Sequence, residues 1–223
     1  MPQFLYTAVA GLLIASAASA QTLPTAPVRN VGETFFGTEV DDPYRYMENL
    51  KDPQVAAWMK AQSDHAWATL KAIPGRDALL KNILKYDEAV SARIAGVVRT
   101  KGDWWFYEKR GAQEDQFKLY VRQGAAGAEK LLFDPETLQR RTGKPHAINY
   151  FAPSPDGRYV AYGVSAAGSE DAVMHLIDAR TGKAIGQPVE RTQFGAPAWG
   201  NDGKTLYVNR LQALKPGMSA LEK

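Results

Sequence analysis

Apolar and polar positions follow two different periods along this chain, and the change falls near Ala89. Before it, Val55, Met59, Gln62, Ala66, Leu70 and Ile73 recur at spacings of three and four, which places them on one mostly apolar helix face. Asp52-Pro53 supplies an N-cap followed by proline at the first helical position, and Pro74-Gly75 ends the segment. RDALLKNILKYDE then restarts a helix with Leu79, Leu80, Ile83 and Leu84 on one side, so a helical hairpin is predicted. After Ala89 the period becomes two. VVRTKGDWWFYEKRG, FKLYVRQ, EKLLFD, RYVAYGVSA, VMHLIDAR and KTLYVNR are predicted strands, rich in aromatic and β-branched residues and separated by Gly, Ala and Asp. Residues 31–50 show no strong period, and Asp42-Pro43 predicts a turn because proline disfavours an α conformation in the residue before it.

The strand segments repeat. Gly102-Asp103 leads into WWFYEKR, Asp156-Gly157 into RYVAYG and Asp202-Gly203 into KTLYVNR, with 53 and 46 residues between successive Asp residues. An Asp/Gly turn feeding an alternating aromatic strand every 40–50 residues or so is the signature of β-propeller blades. The predicted fold is mainly β: an incomplete propeller of two to three blades preceded by an N-terminal helical segment. An open array of blades leaves an apolar face exposed, so the chain reads as the front part of something larger.

Composition narrows the class. The 223 residues carry a net charge of +3 and 45% hydrophobic content, with no run of five or six basic residues. This argues against nucleic acid as a partner. The first twenty residues, MPQFLYTAVAGLLIASAASA, carry no charged side chain and end in Ala18-Ser19-Ala20. The apolar run is too short for a stable membrane anchor, and the pattern predicts a signal peptide cleaved near Ala20, with export to the periplasm or medium. The domain reading is therefore 1–20 signal peptide, 21–88 extended segment and helical hairpin, and 89–223 partial propeller. The chain has no cysteine, which excludes disulfides, thiolate zinc sites and a cysteine nucleophile.

Candidate chemistry is sparse. Of Ser63, Ser91, Ser154, Ser165, Ser169 and Ser219, none sits in G-x-S-x-G; the nearest is Ser165, in GVSAAG, better read as part of a polar inter-strand loop. His65, His146 and His175 suggest no pairing with a nucleophile, and His146 falls in a polar segment. No metal-ligand spacing occurs and no cofactor is implied. The acid pairs Asp41-Asp42, Glu114-Asp115 and Glu170-Asp171 read as solvated turns or caps rather than a glycosidase dyad. In Trp104-Trp105-Phe106-Tyr107, alternate residues point to opposite faces, so half of the run fills the core between blades. No catalytic, cofactor or metal residue is assigned.

Taken together, GTEVDDPYRYMENLKDPQVAAWMKAQSDHA resembles the N-terminal signature of the prolyl oligopeptidase family. LLFDPETL and FAPSPDGRYVAYGVSAAGSE are similar to the start of that family's propeller, and WGNDGKTLYVNR to its next blade. The resemblance runs from about Asn30 to Arg210; Tyr46-Met47 and Ala61-Gln62-Ser63 depart from the common pattern. It implies a two-domain serine endopeptidase that hydrolyses short proline-containing peptides after proline, with a propeller gating the active site. The helices resemble those that pack on the hydrolase domain. The family's catalytic Ser, Asp and His lie in an α/β-hydrolase domain absent from this chain, so the chain alone is expected to be catalytically silent. Leu176 corresponds loosely to a cavity-lining position in relatives, with blade core as the stronger reading. The alternative is a short exported propeller-like binding module without catalysis; a carbohydrate-binding or glycosidase propeller has weaker support.

Overall fold

A computed structural model describes residues 23–195 and 197–218. The predicted signal peptide and Ser219 lie outside the described residues. The chain divides into two compact units, 1–81 and 82–223.

In the first unit, strand β1 (Val31–Phe35) pairs antiparallel with β2 (Thr38–Asp42). The hairpin occupies part of the stretch that showed no period, because both faces of these short strands are largely exposed and carry no alternation to read. Its two-residue turn holds Phe36 at φ 51° and Gly37 at φ 83°, the left-handed pair that suits a tight hairpin. Asp42 closes the far end: its carboxylate accepts from the Tyr44 amide at 2.9 Å and from Arg45 Nε at 2.8 Å, and Arg45 also reaches Glu33 at 2.6 Å.

Helix α1 (Pro53–Lys71) begins where the sequence predicts, with the Asp52 side chain accepting from the Gln54 amide at 2.8 Å. Of its predicted apolar face, Val55 alone is buried, at 1% exposure. Helix α2 (Arg76–Asp87), inside which the two units divide, buries no residue, and Leu79 stands 62% exposed.

The second unit is propeller-like. Strands β3 (Ala92–Thr100), β4 (Trp104–Gly111), β5 (Lys118–Gln123) and β6 (Lys130–Phe133) form an antiparallel meander in sequence order. Helix α3 (Pro135–Thr142) leads to a second meander of β7 (His146–Pro153), β8 (Tyr159–Ala166) and β9 (Val173–Asp178). Residues 184–189 run back beside β9 through isolated bridges at Ala184 and Val189, an irregular fourth strand. Strands β10 (Ala198–Trp199) and β11 (Leu206–Tyr207) pair as a short third ladder, so only two residues of the predicted strand KTLYVNR form a regular strand.

Two further elements differ from the sequence reading. The polar segment around His146 is strand β7: its alternation is blurred because His146 begins it, Pro153 ends it and the register with β8 shifts between Ile148 and Tyr150. Helix α3 begins with Asp134-Pro135, with Asp134 accepting from the Glu136 amide at 2.9 Å, and ends at Gly143 with φ 71°.

The core lies between the two meanders. Phe106, Leu119 and Val121 from the first meet Val160, Tyr162, Val164 and Ile177 from the second. Phe133 and Tyr162 pack with ring centroids 4.7 Å apart. Alternation along β4 works as expected: Trp104 and Phe106 face this core, while Trp105 and Tyr107 stand on the opposite side, where Tyr107 stacks on Tyr120 at 6.1 Å.

Candidate functional site

The three Asp residues that mark the sequence repeat occupy equivalent places: each lies in the turn between the first and second strand of its sheet. At the second turn the Gly157 amide donates to Ser154 O at 2.9 Å and the Ser154 amide to Tyr159 O at 2.7 Å. The third turn repeats this, with the Gly203 amide donating to Gly200 O at 2.9 Å and the Gly200 amide to Thr205 O at 2.8 Å. In each case the Asp side chain binds the turn from within. Asp156 accepts from Ser154 Oγ at 2.6 Å and the Arg158 amide at 3.0 Å, and Asp202 accepts from the Lys204 amide at 2.9 Å. The Ser154 hydroxyl holds the Asp156 carboxyl below the usual carboxylate range. The first turn reverses the order: Gly102 and Asp103 both take positive φ, 75° and 60°, and Asp103 accepts from Trp105 Nε1 and Arg99 Nε.

Successive turns touch. The Lys101 amide donates to Pro155 O at 3.0 Å, and Trp199 Nε1 donates to Ala152 O at 2.9 Å while its ring stacks on Tyr159. Gly157 is required at its position, since a Cβ would sit 2.6 Å from Thr100 Oγ1 and 2.9 Å from Trp104. Lys130 on β6 adds a further tie between the meanders, donating to Ala179 O at 3.1 Å and Arg180 O at 2.5 Å.

A solvent-open cleft of about 640 Å³ lies beside α3 at the opposite end of the second meander from the Asp156 turn. His146, His175, Ser169, Arg141, Glu190 and Arg210 line it. The structure thus brings together two of the three histidines. His175 stacks on Tyr162 at 5.4 Å, and burial holds its imidazole pKa below the ordinary value. His146 Nδ1 lies 2.8 Å from Lys144 O. Such a lining of cations, imidazoles and the carboxylates of Asp171 and Glu190 suits polar groups, and the same residues also serve the strand ends and loops they occupy. His65 stands apart on α1, 3.4 Å from Thr69 Oγ1.

The nearest elbow-like serine is placed differently from the sequence reading. Ser165 belongs to strand β8, paired with Ala147, and is buried instead of lying in an inter-strand loop. β8 runs to Ala166, the end of the predicted strand RYVAYGVSA, because β7 pairs beside it from His146 onward. Leu176 is half-buried and outside the central cluster, which its neighbour Ile177 joins from the other face of β9.

Sequence reasoning missed a carboxylate cluster around Lys118. Its buried ammonium contacts Glu114 at 2.7 Å, Glu136 at 3.4 Å and Asp134 at 3.6 Å, and the Glu114 hydrogen bond raises its pKa. The Asp-Pro start of α3 was the available signal. The cluster ties the β4–β5 loop to the N-terminus of α3. Among the described residues, no group of three or more His, Asp or Glu side chains is arranged to hold a metal ion, and no helix is long and apolar enough to cross a membrane.

Known proteins share this arrangement. Residues 24–219 match the family described as prolyl oligopeptidase, N-terminal beta-propeller domain. The prolyl endopeptidase of Elizabethkingia meningoseptica is 29% identical over 177 residues, which is 78% of this chain and 24% of that protein. A solved prolyl endopeptidase structure superimposes with a TM-score of 0.72 at 30% identity, over 88% of this chain and 28% of that one. Oligopeptidase B from Leishmania major shares the fold at 16% identity, with a TM-score of 0.67 over 86% of this chain and 29% of that one. The chain spans about a quarter of the length of the curated relatives it matches, and their catalytic domain is not among the parts covered. The repeated turns, the stacked meanders and these likenesses together show that the chain belongs to the prolyl oligopeptidase family, matching its N-terminal β-propeller domain.

Proposed function

We propose that this chain is the N-terminal part of an exported serine endopeptidase that hydrolyses short peptides after proline, its meanders being the first two to three blades of a propeller that restricts access to the active site. The observation that carries this reading is the coverage: 78% of the chain aligns with a prolyl endopeptidase, yet it accounts for 24% of that enzyme. Prolyl oligopeptidase B of Galerina marginata, solved with a 35-residue substrate, has the same fold over 88% of this chain at 19% identity, which illustrates the ligand class. In this reading the nucleophile, base and orienting acid belong to a hydrolase domain, where an acyl-enzyme would form and be hydrolysed. No residue of this chain takes a chemical step. The exposed apolar residues of α1 and α2, Met59, Trp67, Leu70, Leu79 and Ile83 among them, would be the face that the hydrolase domain covers. Export rests on the pattern of residues 1–20.

The intact mass of the native product, captured with an antibody against residues 30–90, tests the reading. Because 78% of this chain aligns with 24% of the relative, a product about three times this 24.5 kDa chain is expected. A product slightly below 24.5 kDa would instead support a short exported binding module. The purified chain is expected to leave a fluorogenic prolyl peptide uncleaved; turnover abolished by Ser165→Ala would place a nucleophile here and overturn the assignment.

A further inference from the structure

The segment that precedes β1 is seated in a groove, and its chemistry identifies what the groove recognises. Leu23-Pro24-Thr25-Ala26-Pro27-Val28-Arg29 forms neither helix nor strand and runs beside α1 in the first unit. Two donors one helical turn apart converge on one carbonyl: Trp58 Nε1 and Gln62 Nε2 each donate to Pro24 O at 2.9 Å. The other end of the segment is fixed by three contacts of Arg29. Its amide donates to Pro43 O at 2.9 Å, its guanidinium reaches Gln54 Oε1 at 2.5 Å, and the same group lies 4.2 Å from the Tyr46 ring centroid. Between these anchors an apolar cavity of about 440 Å³ remains beside the segment, walled by Pro24, Pro27, Tyr46, Met47, Val55 and Trp58.

Each part of this arrangement suits an extended, proline-bearing backbone. Proline fixes φ near −65° and removes an amide donor, so such a segment keeps its carbonyls free and has little conformational freedom to lose on docking. An indole N–H aimed at a carbonyl, with aromatic and aliphatic walls beside proline rings, is the mode in which aromatic grooves hold polyproline-type segments. The residue preference comes from shape and from the unpaired carbonyl; no bond is made or broken.

We propose that this α1 groove is a docking site for extended proline-containing segments, occupied in cis by Leu23–Arg29. A tethered occupant competes at a millimolar-range effective concentration, so the groove is masked until the strap is loosened. Arg29→Ala removes the Gln54 and Tyr46 contacts while leaving Trp58 and Gln62 in place.

The test uses the whole chain and a fluorescently labelled peptide of sequence LPTAPVR, read by anisotropy. Arg29→Ala is expected to bind the peptide at least tenfold more tightly than the unaltered chain. A peptide with both prolines replaced by alanine should bind at least tenfold more weakly, and Trp58→Phe in the Arg29→Ala background should lose binding by a similar factor. Circular dichroism on each variant confirms that α1 is intact; if Trp58→Phe unfolds it, Gln62→Leu replaces it. Equal binding to the unaltered chain and Arg29→Ala, or equal binding of the proline-free peptide, would overturn the proposal.

Discussion

The two regions of this chain carry equally clear apolar patterns and satisfy them in different ways. In the meanders the alternate residues of β4, β5 and β8 meet one another, and Phe106, Leu119 and Val160 are fully buried. In α1 and α2 the three-and-four spacing is just as regular, yet Val55 alone is buried. Periodicity therefore reports which face seeks a partner; it says nothing about whether the partner belongs to the same unit. Stacked blades partner one another along the chain, so two suffice to make a core between them. A lone amphipathic helix has no such neighbour built into its repeat.

The largest expected contrast comes from truncating one apolar residue in each region. Phe106→Ala should cost about 3–5 kcal/mol in denaturant unfolding, through lost burial and the cavity left behind. Leu79→Ala should change stability by less than about 0.5 kcal/mol, as an exposed position does. Similar losses at both sites would erase the distinction. Gly163→Ala sharpens the picture within the meanders: a Cβ there would lie 2.3 Å from the Tyr150 ring, whose slot this glycine provides. Overpacking should cost about 1–3 kcal/mol and lower the melting temperature, and Tyr150→Leu in the same chain should recover part of the loss.

Asp134→Ala removes the cap of α3 and one partner of buried Lys118, and about 1–2 kcal/mol is expected by urea titration. Acid should act mainly on the second unit. The Ser154 hydroxyl, the Lys109 ammonium and the Lys118 ammonium hold Asp156, Glu129 and Glu114 below their ordinary pKa values. Depressed carboxylate values contribute stability above the unfolded pKa of about 4, and that contribution is lost as pH falls through the folded values. Burial of His175 lowers its pKa, so its protonation also opposes folding as pH drops below about 6.5. Melting temperatures should fall slightly as pH drops below about 6.5 and steeply below about 4, and Glu129→Gln should soften the second fall. A flat profile to pH 3 would contradict these assignments. The smallest effect belongs to the exposed Lys60–Asp64 pair on α1, where Lys60→Ala should cost no more than about 0.5 kcal/mol in a thermal melt.

What the sequence made legible follows from how local each signal is. The Asp52-Pro53 cap, the strands around Phe106 and Val160, and the 53- and 46-residue recurrence all rest on neighbours in sequence, and all appear in the structure at those places. The Asp156 and Asp202 turns even share their hydrogen bonds. The β1–β2 hairpin, β7 and the return of residues 184–189 were not legible, because each is fixed by pairing with another segment more than by its own alternation. Helix α3 did carry a local signal in Asp134-Pro135 and Gly143, hidden by its brevity. The cleft lined by His146 and His175 is a tertiary product: 29 residues separate its two imidazoles, and strand register alone brings them to one end of a sheet.

Amide hydrogen exchange on the whole chain, read by mass spectrometry, tests the contrast most directly. The account predicts that peptides from β4, β5 and β8 exchange slowest, and that α1 and α2, which bury Val55 alone, exchange orders of magnitude faster, since helices with little buried surface open locally. Protection in α1 and α2 equal to that of the meanders would contradict it, showing that the helical face already has a partner.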